Sequence, residues 1–69
     1  MFIYEITLTN GMVVVSEPTD MNVEFIEGVI QYCHPRTGLA FGKQIFVLEQ
    51  IEKIDLIEGD YQNDNIQYN

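Results

Sequence analysis

Cys33, His34 and Arg36 fall in the stretch CHPRTG (33–38), which holds the chain's single cysteine, its single histidine and one of its three basic residues. A cysteine beside a histidine raises two chemistries, a thiolate nucleophile with its base and a metal site. Neither fits the spacing. Adjacent residues on a strand point to opposite faces, so this pair cannot share a proton, and a structural zinc needs four ligands where the chain offers one Cys and one His. Cys33 reads as a small half-buried hydrophobe, and His34 as a contact residue at a loop entrance. Arg36, at the exposed tip, is the candidate for binding an acidic group on a partner.

The carboxylates are the other chemistry-bearing set. Glu24, Glu27, Glu49, Glu52, Asp55 and Glu58 offer the types from which hydrolases build a catalytic pair, but side chains spread along strand surfaces read as a solvated face. DYQNDN (60–65) alternates oxygen ligands without the central glycine or the downstream bidentate glutamate of a calcium loop. There is no glycine-rich phosphate loop and no Ser-His-Asp set. The expectation is a non-enzymatic chain with no catalytic residue, no metal and no cofactor.

Charge points instead to partners. Eleven acidic residues face three basic ones, a net charge of -8, which repels a phosphate backbone. Direct nucleic-acid binding is disfavoured, and a protein partner with a basic surface is favoured. Glu52, Asp55 and Glu58, with His34 and Arg36, are the candidate partner contacts. With 69 residues there is room for one domain, and folding at that size buries only about 60% of the chain's surface. A lone cysteine supplies no internal disulfide, so self-association is the expected supplement to stability. No basic leader or apolar run of membrane-spanning length is present, which gives a cytoplasmic protein as the expectation, in the host cytoplasm if phage-encoded.

These residues must be positioned by β structure. FIYEITLT (2–9), NG and MVVVSE (12–17) read as a hairpin with a two-residue type I′ loop at Asn10-Gly11. That register pairs Leu8 with Val13 and Ile6 with Val15, and puts Phe2, Tyr4, Ile6, Leu8, Val13 and Val15 on the core face. Ile3, Met12 and Val14 lie on the other face.

VEFIEGVIQYC (23–33) reads two ways. As a helix it starts at Asp20 and stops before Pro35, with Glu24, Glu27 and Gln31 as its polar stripe. As a strand it is rich in β-branched and aromatic residues, and Gly28 is awkward in a helix. The following segment favours the strand: a four-residue loop Pro35–Gly38 pairs Tyr32 with Phe41, Ile30 with Lys43 and Ile26 with Val47, giving an apolar face. Leu48, Ile51 and Ile54 are spaced by three and lead into alternation, as a 3₁₀ turn followed by a closing strand would be.

Two hairpins, a 3₁₀ turn and a closing strand give an all-β fold, a small five-stranded barrel over residues 1–58 with a polar C-terminal tail over 59–69. LTNGMVVV resembles the first hairpin of Sm-like proteins, DMNV the Asp and Met-Asn element after their second strand, and FVLEQIEKIDLI their closing turn and strand. The resemblance implies an SH3/Sm-like barrel that assembles by edge-strand pairing, and binding of a nucleotide or nucleic acid through Arg36 and Lys43 is its functional implication. Ile3, Met12, Val14, Phe25, Phe46 and Leu48 are the candidate homo-oligomer interface. The functional expectation is an acidic protein-interaction module of the kind phages make as inhibitors of host enzymes or immune systems, acting by occupying a protein surface or mimicking nucleic acid.

Overall fold

The computed structural model describes residues 1–59, so the polar tail from Asp60 onward, including DYQNDN, lies outside the described residues. The described elements are β1 (Ile3–Leu8), β2 (Val13–Val15), α1 (Val23–Tyr32), β3 (Gly38–Phe41), β4 (Gln44–Val47), a 3₁₀ turn (Leu48–Gln50) and β5 (Ile51–Glu58). The strands form two small antiparallel sheets, β2-β1-β5 and β3-β4. The expected closed barrel is not formed. The 3₁₀ turn and the closing strand stand where the spacing of Leu48, Ile51 and Ile54 puts them.

The first hairpin differs from expectation by one residue. Glu5 pairs with Val15, Ile6 with Val14 and Thr7 with Val13. Gly11 has φ of 93° and Asn10 does not take a positive φ, so the type I′ loop, which needs both, is not made. Instead Gly11 N–H donates to the Leu8 carbonyl and Leu8 N–H to the Met12 carbonyl, a three-residue loop with glycine in the left-handed position. The Asn10 side chain accepts from Met12 N at 2.9 Å, which holds Asn10 in the turn without the strained torsion. Because the side-chain period is two, the slip reverses β2. Val14 turns inward, and Val13 and Val15 are each 56% exposed.

The segment read as a strand is α1. Asn22, in extended conformation, caps it by accepting from Phe25 N at 2.8 Å, and the helix ends at Cys33, two residues before Pro35. What excludes the expected hairpin is the partner of β3, which is β4. Phe41 pairs with Gln44 across Gly42-Lys43, and Gly42 has φ of 64° where Lys43 does not take a positive φ, the pattern of a two-residue II′ loop with glycine first. So local a pairing closes at lower entropic cost than the one across Pro35–Gly38. Pro35 and Arg36 instead form a turn closed by Thr37 N–H to the His34 carbonyl at 2.9 Å, and Gly38 has no positive φ.

Tyr4, Ile6, Ile26, Leu39, Phe41 and Leu48 are the buried hydrophobic residues. Phe2, Tyr4, Phe41 and Phe46 make a chain of ring contacts with centroids 6.4, 5.9 and 5.9 Å apart, which joins the three-stranded sheet to the β3-β4 hairpin. Where a barrel would close by a ladder, one side chain bridges the seam: Gln44 Oε1 accepts from Glu17 N at 2.9 Å and Gln44 Nε2 donates to the Val15 carbonyl at 3.5 Å. Glu17 returns the contact by accepting from Lys43 N at 3.2 Å.

Three glycine substitutions test these assignments by urea denaturation. Gly28 has open space beside it, so Gly28→Ala should stabilise the helix by about 1 kcal/mol, whereas a strand there would give no such gain. Gly11→Ala should cost about 1–2 kcal/mol from its left-handed torsion alone, since nothing crowds the position. Gly42→Ala should cost more than Gly11→Ala, because its Cβ would collide with Glu17 Oε1 as well; equal losses would contradict the seam.

Candidate functional site

Helix α1 reaches the surface with several apolar side chains exposed. Residues advance about 100° per step, so Val23, Ile26 and Ile30 share one side, Phe25, Val29 and Tyr32 another, and Glu24, Glu27 and Gln31 the solvent side. One residue of the ten, Ile26, is buried. Phe25 is 54% exposed and Tyr32 81%, and the helix carries no basic residue.

Two concavities flank it. The first is an open depression of about 330 Å³ lined by Asp20, Met21, Asn22 and Phe25 at the start of the helix. The second is a cleft of about 170 Å³ between α1 and β5, floored by Tyr4 and Ile26 with Val23, Ile30, Ile54 and Leu56 as apolar walls and Glu27 and Asp55 also in its lining. Among the described residues no group of three metal-ligating side chains comes together, and no helix is long and apolar enough to cross a membrane.

Tyr4 positions both concavities. Its hydroxyl donates to the Met21 carbonyl at 2.7 Å, which fixes the segment leading into α1, and its N–H donates to Ser16 Oγ at 2.9 Å. Thr19 Oγ1 accepts from Met21 N at 3.2 Å, and Phe2 and Thr19 exchange backbone bonds of 2.7 and 2.9 Å. The path from β2 to the helix is therefore bonded to β1 at each step. Burial pushes the Tyr4 phenol above its usual value.

The expected site residues are dispersed. His34 and Arg36 are exposed at the turn after α1, where His34 Nδ1 accepts from Arg36 N at 3.0 Å. Cys33 is exposed rather than half-buried, because α1 ends there and the chain swings out. Glu52, Asp55 and Glu58 lie exposed along β5, with Asp55 paired to Lys53 at 3.7 Å. Of the residues read as an oligomer interface, Met12 and Phe25 are exposed, Ile3 and Val14 are half-buried, and Phe46 and Leu48 belong to the core. Arg36 lies in the turn before β3, Lys43 in the loop after it and Lys53 on β5.

Asp20, read in the sequence as a helix start, and Tyr32, read as a strand residue facing Phe41, are exposed surface groups. For Tyr32 the signal was the spacing of Phe25, Val29 and Tyr32, which carries meaning once the segment is a helix. No protein-family model, curated protein or solved structure matches this chain.

Tyr4→Phe should cost about 1 kcal/mol by leaving the Met21 carbonyl unpaired. The raised phenol also has a pH consequence. Above about pH 10 the unfolded chain releases the tyrosine proton first, so the unfolded state binds fewer protons and stability falls as pH rises. Urea unfolding at stepped pH should show this alkaline loss in the wild type and a flatter curve in Tyr4→Phe; identical curves would refute the role given to Tyr4.

Proposed function

We propose that the chain is a non-enzymatic protein-interaction module whose α1 surface docks on a basic region of another protein. The observation that carries this reading is the open depression that Asp20 and the exposed Phe25 both line. A lysine or arginine of a partner entering it gains an ion pair from Asp20 and a cation–π contact from Phe25. Asp20 and Glu24 together outweigh the roughly half positive charge at the start of a helix. Tyr32, on the same flank, adds an amphipathic ring of the type that dominates interface energetics.

The rest of the surface supports the reading. Glu24 and Glu27 add acidic groups on the helix itself, and the dispersion of the three cations along the chain leaves no basic patch to hold a phosphate chain. Inhibition of a host enzyme by occupancy of its basic groove, the phage-type activity named above, is one form such a module takes, because it needs no chemistry beyond surface complementarity.

The test is capture of proteins from the source cells on the immobilised full chain at low ionic strength. A specifically retained basic protein should elute with added salt, and its affinity should fall about tenfold or more for Phe25→Ala and for Tyr32→Ala, in the range of interface anchors. Glu24→Lys should weaken it further by repulsion. Retention of nucleic acid in place of protein, or of a protein indifferent to all three substitutions, would refute the reading. All three residues are exposed, so folding by circular dichroism should be unchanged.

A further inference from the structure

We infer that β5 is a self-recognition edge, at which two copies of this chain join their three-stranded sheets into one six-stranded sheet. Among the described strands β5 is the longest, eight residues, and it lies at the edge of β2-β1-β5. Among the described residues no backbone hydrogen bond reaches its outer edge beyond Ile51. Proteins blunt such edges with proline, short length or several lysines. The opposite edge, β2, has three residues and runs into Pro18. β5 has no proline and a single lysine.

The charges on β5 specify its partner and register. In an antiparallel pair centred on Ile54, Ile54 faces Ile54 of the second copy, Lys53 faces Asp55 of the second copy, and Asp55 faces its Lys53. Centring on Asp55 sets Asp55 against Asp55 and Glu52 against Glu58, both repulsive. Centring on Lys53 opposes two lysines, and centring between Ile54 and Asp55 matches no charges. One register therefore joins every charge of the strand's middle to its opposite. Within one chain Lys53 Nζ already lies 3.7 Å from Asp55 Oδ2, with the two side chains 63% and 56% exposed, so pairing completes a four-charge cluster that the single chain holds by half.

The apolar cleft is on the same edge. Ile54 and Leu56 form its β5 wall and Ile30, 49% exposed, part of its α1 wall. A twofold axis perpendicular to the sheet keeps both helices on one face, so the clefts of the two copies adjoin across the axis and each copy's Ile54 closes the other's. An acidic exterior does not oppose this at ordinary salt, since exposed charges farther apart than about 8–10 Å are largely screened.

Charge exchange at the two exposed positions tests the register. Sedimentation equilibrium of the full chain at physiological salt should show a dimer that dissociates on dilution. Lys53→Asp alone and Asp55→Lys alone should each associate at least tenfold more weakly while remaining folded by circular dichroism. An equimolar mixture of the two variants should form a heterodimer, and the double exchange should restore the homodimer. Net charge alone predicts otherwise: Lys53→Asp shifts -8 by two negative units to -10 and Asp55→Lys by two positive units to -6, so general repulsion would make Asp55→Lys the tighter associate. A wild type that stays monomeric at every concentration, forms a species larger than a dimer, or dimerises indifferently to Asp55→Lys overturns the proposal; a monomer would assign the edge to another protein or to residues beyond Gly59.

Discussion

Tyr4 is gripped at both ends, and three parts of the fold meet on it. Its backbone is fixed in β1, with the Ser16 hydroxyl serving where β2 has left the ladder. Its ring stands edge-on to Phe41 of the second sheet. Its hydroxyl holds the carbonyl of Met21, from which α1 departs. A phenol suits this position because it combines a large apolar body with one polar tip. Phenylalanine would fill the core and lose the helix anchor, while a shorter polar residue would reach neither Met21 nor Phe41.

That arrangement has a consequence for the surface. Among the described residues six buried hydrophobics make a small core, and all but Ile26 of α1 come from the two sheets and the 3₁₀ turn between them. α1 adds one buried side chain and leaves Phe25, Ile30 and Tyr32 in water. In a larger protein such a helix would be clamped from both sides. Here the seam between the sheets is bridged by Gln44 in place of a ladder, and among the described residues β5 has neither a strand nor a closing sheet on its outer side. The exposed apolar groups and the open edge are thus two results of one cause, a barrel order of elements that does not close.

The parts of the fold legible in the sequence were those set by short-range pattern. Alternation in FIYEITL and the switch of period at Leu48 to Leu56 mark strand, 3₁₀ turn and strand without outside help. The hairpin turn was legible in position but not in type, because Asn10-Gly11 serves both a two-residue loop and a three-residue one. The choice between them rests on the Asn10 side chain bonding Met12 N, a contact that no periodicity encodes. Residues 23–32 were misread for a physical reason: β-branched and aromatic residues argued strand, and the decisive evidence, the Asn22 cap and the Gly42-Lys43 loop that takes β3 away, lay outside the segment. The candidate surface was legible only in part. Phe25 and the carboxylates of β5 could be named, but the depression that Asp20 and Phe25 share depends on the helix, the reading that the sequence left second.

The two proposed surfaces would reinforce one another through geometry. A β5-joined pair would carry two α1 flanks on one face of a single sheet, so one docked depression would hold the other near the same partner. Local concentration then stands in for intrinsic affinity, and two modest contacts bind as one strong one when the partner's basic groups are spaced to match. A standard-sized interface takes about 800 Å² from each partner, and a paired assembly would offer it from two α1 flanks in place of one. In the proposed pair that doubling needs no additional core, and it would leave the carboxylates of α1 outside the seam, where a basic partner would meet them.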